Sequence, residues 1–258
     1  RRSSDLPVIQ LLGITVKELI SDSETQAKAM KLLADRNDSL AAVSMMDLSL
    51  EAESFGAEIL VNDDEVPAVI GCLVNNQDEA GRLAAPAVGA GRTRIYLDAM
   101  SRSVELITDR PVLAGIIGPY SLAGRLLGTA QAMKACKKNP QLVHTVMEKC
   151  TQFLISYAKA YQDAGANGIV MAEPLTDLLS PKMAVDFSEP YVKRIVDAVQ
   201  QDDFIVIYHN CGNNTMLMMD SILRVGAAGY HFGNAISMKE AVSLCPDHLL
   251  CMGNVNPA

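Results

Sequence analysis

The chain has no Trp and only five Phe among its 258 residues, so filling a core falls to aliphatic side chains and thirteen Met. Met in that number reads as core filler, not as a cofactor device. Basic residues are outnumbered, 22 Lys and Arg against 30 Asp and Glu, and the basic ones are scattered. A formal charge of −8 argues against a nucleic-acid or anionic-membrane partner. No run reaches the ~18 apolar residues of a membrane span. The six Cys, at 72, 136, 150, 211, 245 and 251, form no CxxC and no regular ladder. In a chain of this size that excludes a disulfide framework and reads as reduced cysteine usage, hence a cytoplasmic protein. No G-x-G-x-x-G turn follows any expected strand, which argues against an open dinucleotide-binding sheet.

Apolar residues make up 49% of the sequence, enough for a large core, and the length suits one (β/α)8 barrel or two small domains. Expected strands are 7–12, 40–46, 111–117, 168–172, 204–208, 229–234 and 248–252. Expected helices between them include 15–20, a longer one from the S-x-x-E start at Ser21 to about Arg36, then 93–108, 140–164, 188–200, 215–225 and 238–244. The runs 57–61 and 66–74, around the acidic turn Asn62-Asp63-Asp64-Glu65, read as an inserted hairpin. Residues 75–92 read as loop with one helical turn. Strand and helix alternate seven times, the mark of parallel βαβ units. The expectation is a single α/β domain over residues 1–258, a TIM-type barrel whose eighth strand and C-terminal helix lie beyond Ala258. A shorter loss is expected before the first strand.

The most informative stretch is Phe204-Ile-Val-Ile-Tyr-His-Asn-Cys-Gly-Asn-Asn214. It opens as a buried parallel strand and ends with two soft-metal ligand types, His209 and Cys211. Side chains alternate along a strand, so both point to the side of Ile205 and Ile207. If that side is the barrel interior, an imidazole and a thiol converge at its C-terminal mouth as half of a tetrahedral zinc site. The structural alternative is that Cys211 is a small buried hydrophobe and the pair arose by chance. Other expected strand ends carry Asp47, Tyr120, Glu173, Asn234, Asn254 and Asn256. Polar residues at many C-terminal strand ends are what a barrel's active face requires.

With Met46-Asp-Leu-Ser-Leu-Glu-Ala-Glu-Ser-Phe-Gly56, Asp64-Glu-Val-Pro67, Tyr208-His-Asn-Cys-Gly-Asn213 and Gly253-Asn-Val-Asn-Pro257, the chain resembles the uroporphyrinogen decarboxylase superfamily over nearly its whole length. Within it, it looks most like the cobalamin-linked branch, the methylcobalamin:coenzyme M methyltransferases and their relatives. His-x-Cys is the discriminating piece, since the decarboxylases proper do not carry it. The resemblance implies a barrel with zinc at its mouth, His209 and Cys211 as ligands and a third ligand, a Cys, beyond Ala258. Cys251 sits before the loop and is a poor substitute. It also implies a corrinoid protein as partner, methylcobalamin as methyl donor and a small thiol as acceptor. Asp47 matches the aspartate that the decarboxylases place on pyrrole nitrogens, so it is a candidate for contacting substrate or corrin, or else a helix cap. Glu173, before Pro174, is a candidate catalytic or second metal-partner carboxylate, or else a solvated loop residue. Asn234 and Asn254 are candidates for holding cofactor or substrate by hydrogen bonds, with turn formation as the alternative. His231 reads as a hydrogen-bonded core histidine.

Three functions compete. The first is a zinc-dependent methyltransferase moving a methyl group from a corrinoid to a thiol. The second is a metal-free decarboxylase of an acidic tetrapyrrole, which needs several cations near its substrate; Gln10-Leu-Leu-Gly-Ile-Thr15 stands where the decarboxylases carry an Arg-rich segment. The third is a non-catalytic corrinoid-binding subunit.

Overall fold

The computed structural model describes residues 6–254. Its strands, in chain order, are β1 (Ala42–Val43), β2 (Glu58–Leu60), β3 (Ala68–Ile70), β4 (Val112–Ile117), β5 (Gly168–Ala172), β6 (Ile205–Asn210), β7 (Gly229–Phe232) and β8 (Leu250–Met252). The helices used below are α1 (Leu6–Leu12), α2 (Val16–Ser21), α3 (Ser23–Arg36), α4 (Leu50–Ser54), α5 (Gln77–Arg82), α6 (Thr93–Leu106), α7 (Pro119–Leu127), α8 (Thr129–Lys138) and α9 (Pro140–Asp163). They are followed by α10 (Pro181–Phe187), α11 (Glu189–Val199), α12 (Met219–Arg224) and α13 (Met238–Leu244).

Six strands form one parallel sheet in the order β1-β4-β5-β6-β7-β8. Apart from the β1–β4 step, where the hairpin intervenes, each strand lies beside the next in sequence, as successive βαβ units dictate. Every residue of β4 is buried, the signature of a parallel strand covered on both faces. β6 is different. Ile205 and His209 are half-buried, while Val206, Tyr208 and Asn210 are buried. The even-numbered side chains face the helical layer, and the odd-numbered ones face the other side, together with half-buried Val170 and His231 of the neighbouring strands. That is the side on which sequence periodicity placed His209.

α9 closes the helical layer. Leu142, Val143, Val146, Met147, Cys150, Phe153, Leu154, Tyr157 and Tyr161 recur at helical spacing and are all buried. Cys150 is therefore core, as its spacing predicts. Pro lies in the first turn of α7, α9, α10 and α11, where its missing N–H costs nothing. These prolines let each chain segment turn sharply from a strand or loop into its helix.

The hairpin is present as the antiparallel pair β2–β3, with Glu58 opposite Ile70 and Leu60 opposite Ala68. Ile59 and Val69 pack on the main core from it. The segment expected as the first strand is instead a helix, α1. A short apolar run without alternation suits either element, and packing decided it. Val8 and Ile9 join Val16, Leu19, Ile20 and Ala29 in a separate small cluster beside the sheet. The parallel strands among the described residues are thus six, not seven. The expected 40–46 strand shrinks to two residues, with Leu40 outside it and 91% exposed. The cap of α3 is Asp22, whose carboxylate accepts from the Thr25 N–H at 2.8 Å, one residue later than the sequence signature placed it.

Candidate active site

The C-terminal end of β6 is built around Asn210. Its side chain points into the helical layer and is 1% exposed. The Asn210 amide donates to Thr176 Oγ1 at 2.9 Å, and its oxygen accepts from the Gly212 N–H at 3.0 Å and the Thr215 hydroxyl at 2.7 Å. Those bonds clamp the turn that carries Cys211. Two glycines let neighbouring segments close on it. A Cβ on Gly212 would collide with the Asp177 side chain, and one on Gly233 would lie 2.7 Å from the Cys211 backbone. Gly212 takes the turn expected of it, whereas no local pattern marks Asn210.

His209 stands opposite His231 in the β6–β7 register, with ring centroids 4.6 Å apart. His209 Nδ1 lies 3.2 Å from the His231 carbonyl oxygen and 2.6 Å from His231 Nδ1. A carbonyl only accepts, so in the tautomer that bonds it the proton is on His209 Nδ1, shared toward His231 Nδ1, and Nε2 carries a lone pair; the opposite tautomer has His231 donating to His209 Nδ1. A backbone carbonyl orienting an imidazole through its other nitrogen is the usual support for a metal-binding histidine. Burial, and then the neighbouring His231, push the His209 pKa down to about 4, so the ring is neutral at physiological pH. Cys211 follows on the rim and is exposed. It is not the buried hydrophobe of the alternative reading. The donor set present, a neutral imidazole with an oriented lone pair and a rim thiol two residues on, fits half of a zinc site. Among the described residues no three His, Cys, Asp or Glu gather as a metal site. His231 pairs with His209 as a hydrogen-bonded histidine and is half-buried.

The other candidates are placed as follows. Asp47 follows β1, and its side chain is completely buried. It receives the Ser49 N–H at 2.9 Å, the Ser49 hydroxyl at 2.6 Å and Arg92 Nη1 at 2.6 Å. Arg92 Nε also bonds Glu53 at 2.7 Å, and the Tyr96 hydroxyl lies 3.4 Å from Asp47. Asp47 thus sits in a closed ionic knot tying the loop after β1 to the start of α6. Glu173 follows β5 and is fully buried, which overturns the solvated-loop alternative. Its N–H donates to the His209 carbonyl at 3.0 Å, and its Oε1 accepts from the Ser121 N–H at 3.0 Å. Burial raises its pKa to about 8. Gly118 is required beside it, because a Cβ there would collide with the carboxylate.

Asn234 is exposed in the turn after β7. The Asn254 amide donates to the carbonyls of Gly233 at 3.3 Å and of Ile236, so it holds the β7–α13 turn, as its turn-forming alternative predicts. Tyr120 is buried, with its hydroxyl 3.7 Å from Cys136 Sγ. Asn256 lies outside the described residues. Sequence reading missed Glu51, which is 1% exposed, accepts the Ile117 N–H at 3.0 Å and has its pKa raised by burial to about 8. A glutamate in an amphipathic helical stretch carries no local sign of burial. Arg92 and Arg125 were missed for the same reason.

The chain belongs to the uroporphyrinogen decarboxylase (URO-D) family, whose model matches residues 8–258. Among characterised relatives it is 27% identical over 246 residues to the methylcobamide:CoM methyltransferase MtbA of Methanosarcina acetivorans, covering 92% of this chain and 71% of that protein. It is 28% identical over 228 residues to the uroporphyrinogen decarboxylase of Desulfotalea psychrophila, covering 84% of this chain and 64% of that one. The chain therefore spans about two thirds of the length of these relatives. A solved methyltransferase from Methanosarcina mazei superposes with a TM-score of 0.90 at 23% identity, over 98% of this chain and 76% of the other. The parallel sheet described above is thus a large part of a TIM-type barrel. Among the described residues no helix is long and apolar enough to cross a membrane.

Proposed function

We propose that this chain is a methyltransferase that moves a methyl group from a corrinoid, carried by a partner corrinoid protein, to a small thiol activated by zinc. The names of its methyltransferase relatives support the reaction class. The observation that carries the zinc reading is the pair at the end of β6: His209 held through Nδ1 by a backbone carbonyl, and Cys211 exposed two residues later.

His209 and Cys211 would hold the ion together with a ligand from outside residues 6–254. Zinc bound there would lower the pKa of a coordinated thiol and so would supply a thiolate nucleophile near neutral pH. The chain's own contribution is position and charge. His209, neutral at physiological pH, offers its Nε2 lone pair without first losing a proton. Asn210 fixes the turn so that Cys211 faces the rim. Glu173 braces the His209 backbone through its N–H and keeps a protonated carboxyl behind it. Asp47 acts as a positioning residue, holding the loop after β1 through Arg92. Asn234 on the rim, and the side-chain oxygen of Asn254, are the groups we assign to hydrogen-bonding the corrinoid or the acceptor.

The test is zinc content of the full-length protein and of His209→Ala, followed by thiol-dependent demethylation of methylcobalamin monitored by its visible spectrum. The wild type is expected to hold zinc and the variant to lose both metal and activity. A wild type without zinc, or a variant of equal activity, ends this reading. Turnover of uroporphyrinogen would favour the decarboxylase instead.

A further inference from the structure

Arg125 is a cation without a counter-ion. It lies in the last turn of α7, and among the described residues it makes no hydrogen bond or ion pair, while its Nε is sealed from solvent. Arg92, by contrast, is engaged by Asp47, Glu53 and Ser49. The burial of Arg125, with no carboxylate to offset it, holds its pKa below the ordinary guanidinium value. Its place in the final turn of α7 gives some compensation from the helix dipole, but no acceptor for Nε. Arg125 is half-buried, and its sealed Nε–H without an acceptor is a cost that an anion reaching the guanidinium from the accessible side would offset.

What faces it is a cavity of about 210 Å³. The walls are Met46, Leu48 and Ser49 from the loop after β1, and Val66 to Val69 from the hairpin. The wall is mostly apolar, and Arg125 is its one charged side chain. Ser49 already gives its proton to Asp47. The space has room for several waters and is sufficient for the end of a small acid. Because β1 and β4 run parallel to β6, the loop after β1 lies on the same edge of the sheet as His209 and Cys211.

We propose that this cavity is a binding site for an oxyanion carried by a small-molecule substrate, with Arg125 as its counter-ion. A guanidinium recognises a sulfonate, carboxylate or phosphate through paired N–H donors, and the apolar walls strengthen that contact by excluding water. The oxyanion has two possible sources, an acid group on the acceptor thiol or the phosphodiester of the corrinoid. The site itself stands on geometry; only the choice between sources rests on the methyltransferase reading.

The experiment has two arms. In the first, inorganic sulfate is titrated by calorimetry into the full-length protein, Arg125→Gln and Ala68→Phe. Ala68 is an exposed wall residue, so its replacement narrows the cavity without touching the charge. Binding is expected to weaken at least tenfold in both variants, and equal affinity in wild type and either folded variant overturns the proposal. In the second arm, KM is measured for 2-mercaptoethanesulfonate and for 2-mercaptoethanol, with methylcobalamin and with a methylated corrinoid lacking the nucleotide loop. A tenfold rise in KM confined to the sulfonate thiol in Arg125→Gln assigns the oxyanion to the acceptor. A defect with both thiols that vanishes with the truncated corrinoid assigns it to the phosphodiester. Unchanged constants throughout overturn a role in substrate binding. Absence of methyl transfer in the wild type defeats the methyltransferase reading and leaves the sulfate arm to decide the site.

Discussion

Glu51 offers the sharpest physical test of this structure. It is a buried residue of α4, Oε1 accepts the Ile117 N–H, and Oε2 has no partner among the described residues. Burial is the main cause of its raised pKa, about 8 against an ordinary 4.5; the nearby Asp47 adds to the rise and Arg92 opposes it. Between those two pH values the folded protein holds a proton that the unfolded chain has lost. Stability must therefore fall as pH rises from 4.5 to 8, and level off on either side. At 1.36 kcal/mol per pH unit, the wild type at pH 7 has lost about 3 kcal/mol relative to an uncharged isostere. Glu51→Gln is that isostere: its oxygen keeps the Ile117 bond, and its NH2 replaces the carboxyl O–H. We expect a difference of no more than about 1 kcal/mol in urea stability between the two proteins at pH 5, a gain of about 3 kcal/mol for the variant at pH 7, and a further gain up to pH 8. Using the difference between the two proteins cancels the titrating groups that do not interact with Glu51. Parallel stability curves for the two proteins across pH 5 to 8 would refute the reasoning, because they would mean the carboxyl is ionised and solvated in the fold.

Two further outcomes follow from the rim. Arg92→Ala leaves the buried Asp47 carboxylate without its cation and should destabilise the fold by about 3–5 kcal/mol, read from urea midpoints; a loss below about 1 kcal/mol would mean the pair is open to water. Gly233→Ala pushes a methyl against the Cys211 backbone and should cost about 1–3 kcal/mol by overpacking. Its zinc content should fall further than that of Gly226→Ala, where a Cβ meets nothing within 4 Å and only the positive φ is strained. Equal zinc in the two variants would detach the Cys211 turn from the metal.

The strands from β4 to β7 were legible because largely buried parallel strands leave apolar runs bounded by Gly, Pro and Asn, and the more exposed β8 was legible from its short apolar run before Gly253. The side of the sheet taken by His209 was legible because the alternation of side chains on β6 needs no tertiary information; Cys211 lies past Asn210, where that alternation stops. Residues 7–12 were not, since a short apolar run satisfies strand and helix alike, and only the pocket offered by α2 and α3 made it a helix. The roles of Asp47 and Glu173 were half legible. Their positions after β1 and β5 could be read, but whether each carboxylate met water or protein could not.

Patterns spanning a few residues were enough for the alternation of strand and helix from β4 onward, for the place of His209 at the end of β6 and for the hairpin. Tertiary structure alone decided which charges are matched. Arg92 reaches Asp47 across 45 positions, Glu51 takes an N–H from Ile117 across 66, and Arg125 meets no acid among the described residues. Burial and charge pairing are properties of segments distant in the chain brought within a few ångströms, and no local pattern encodes that distance.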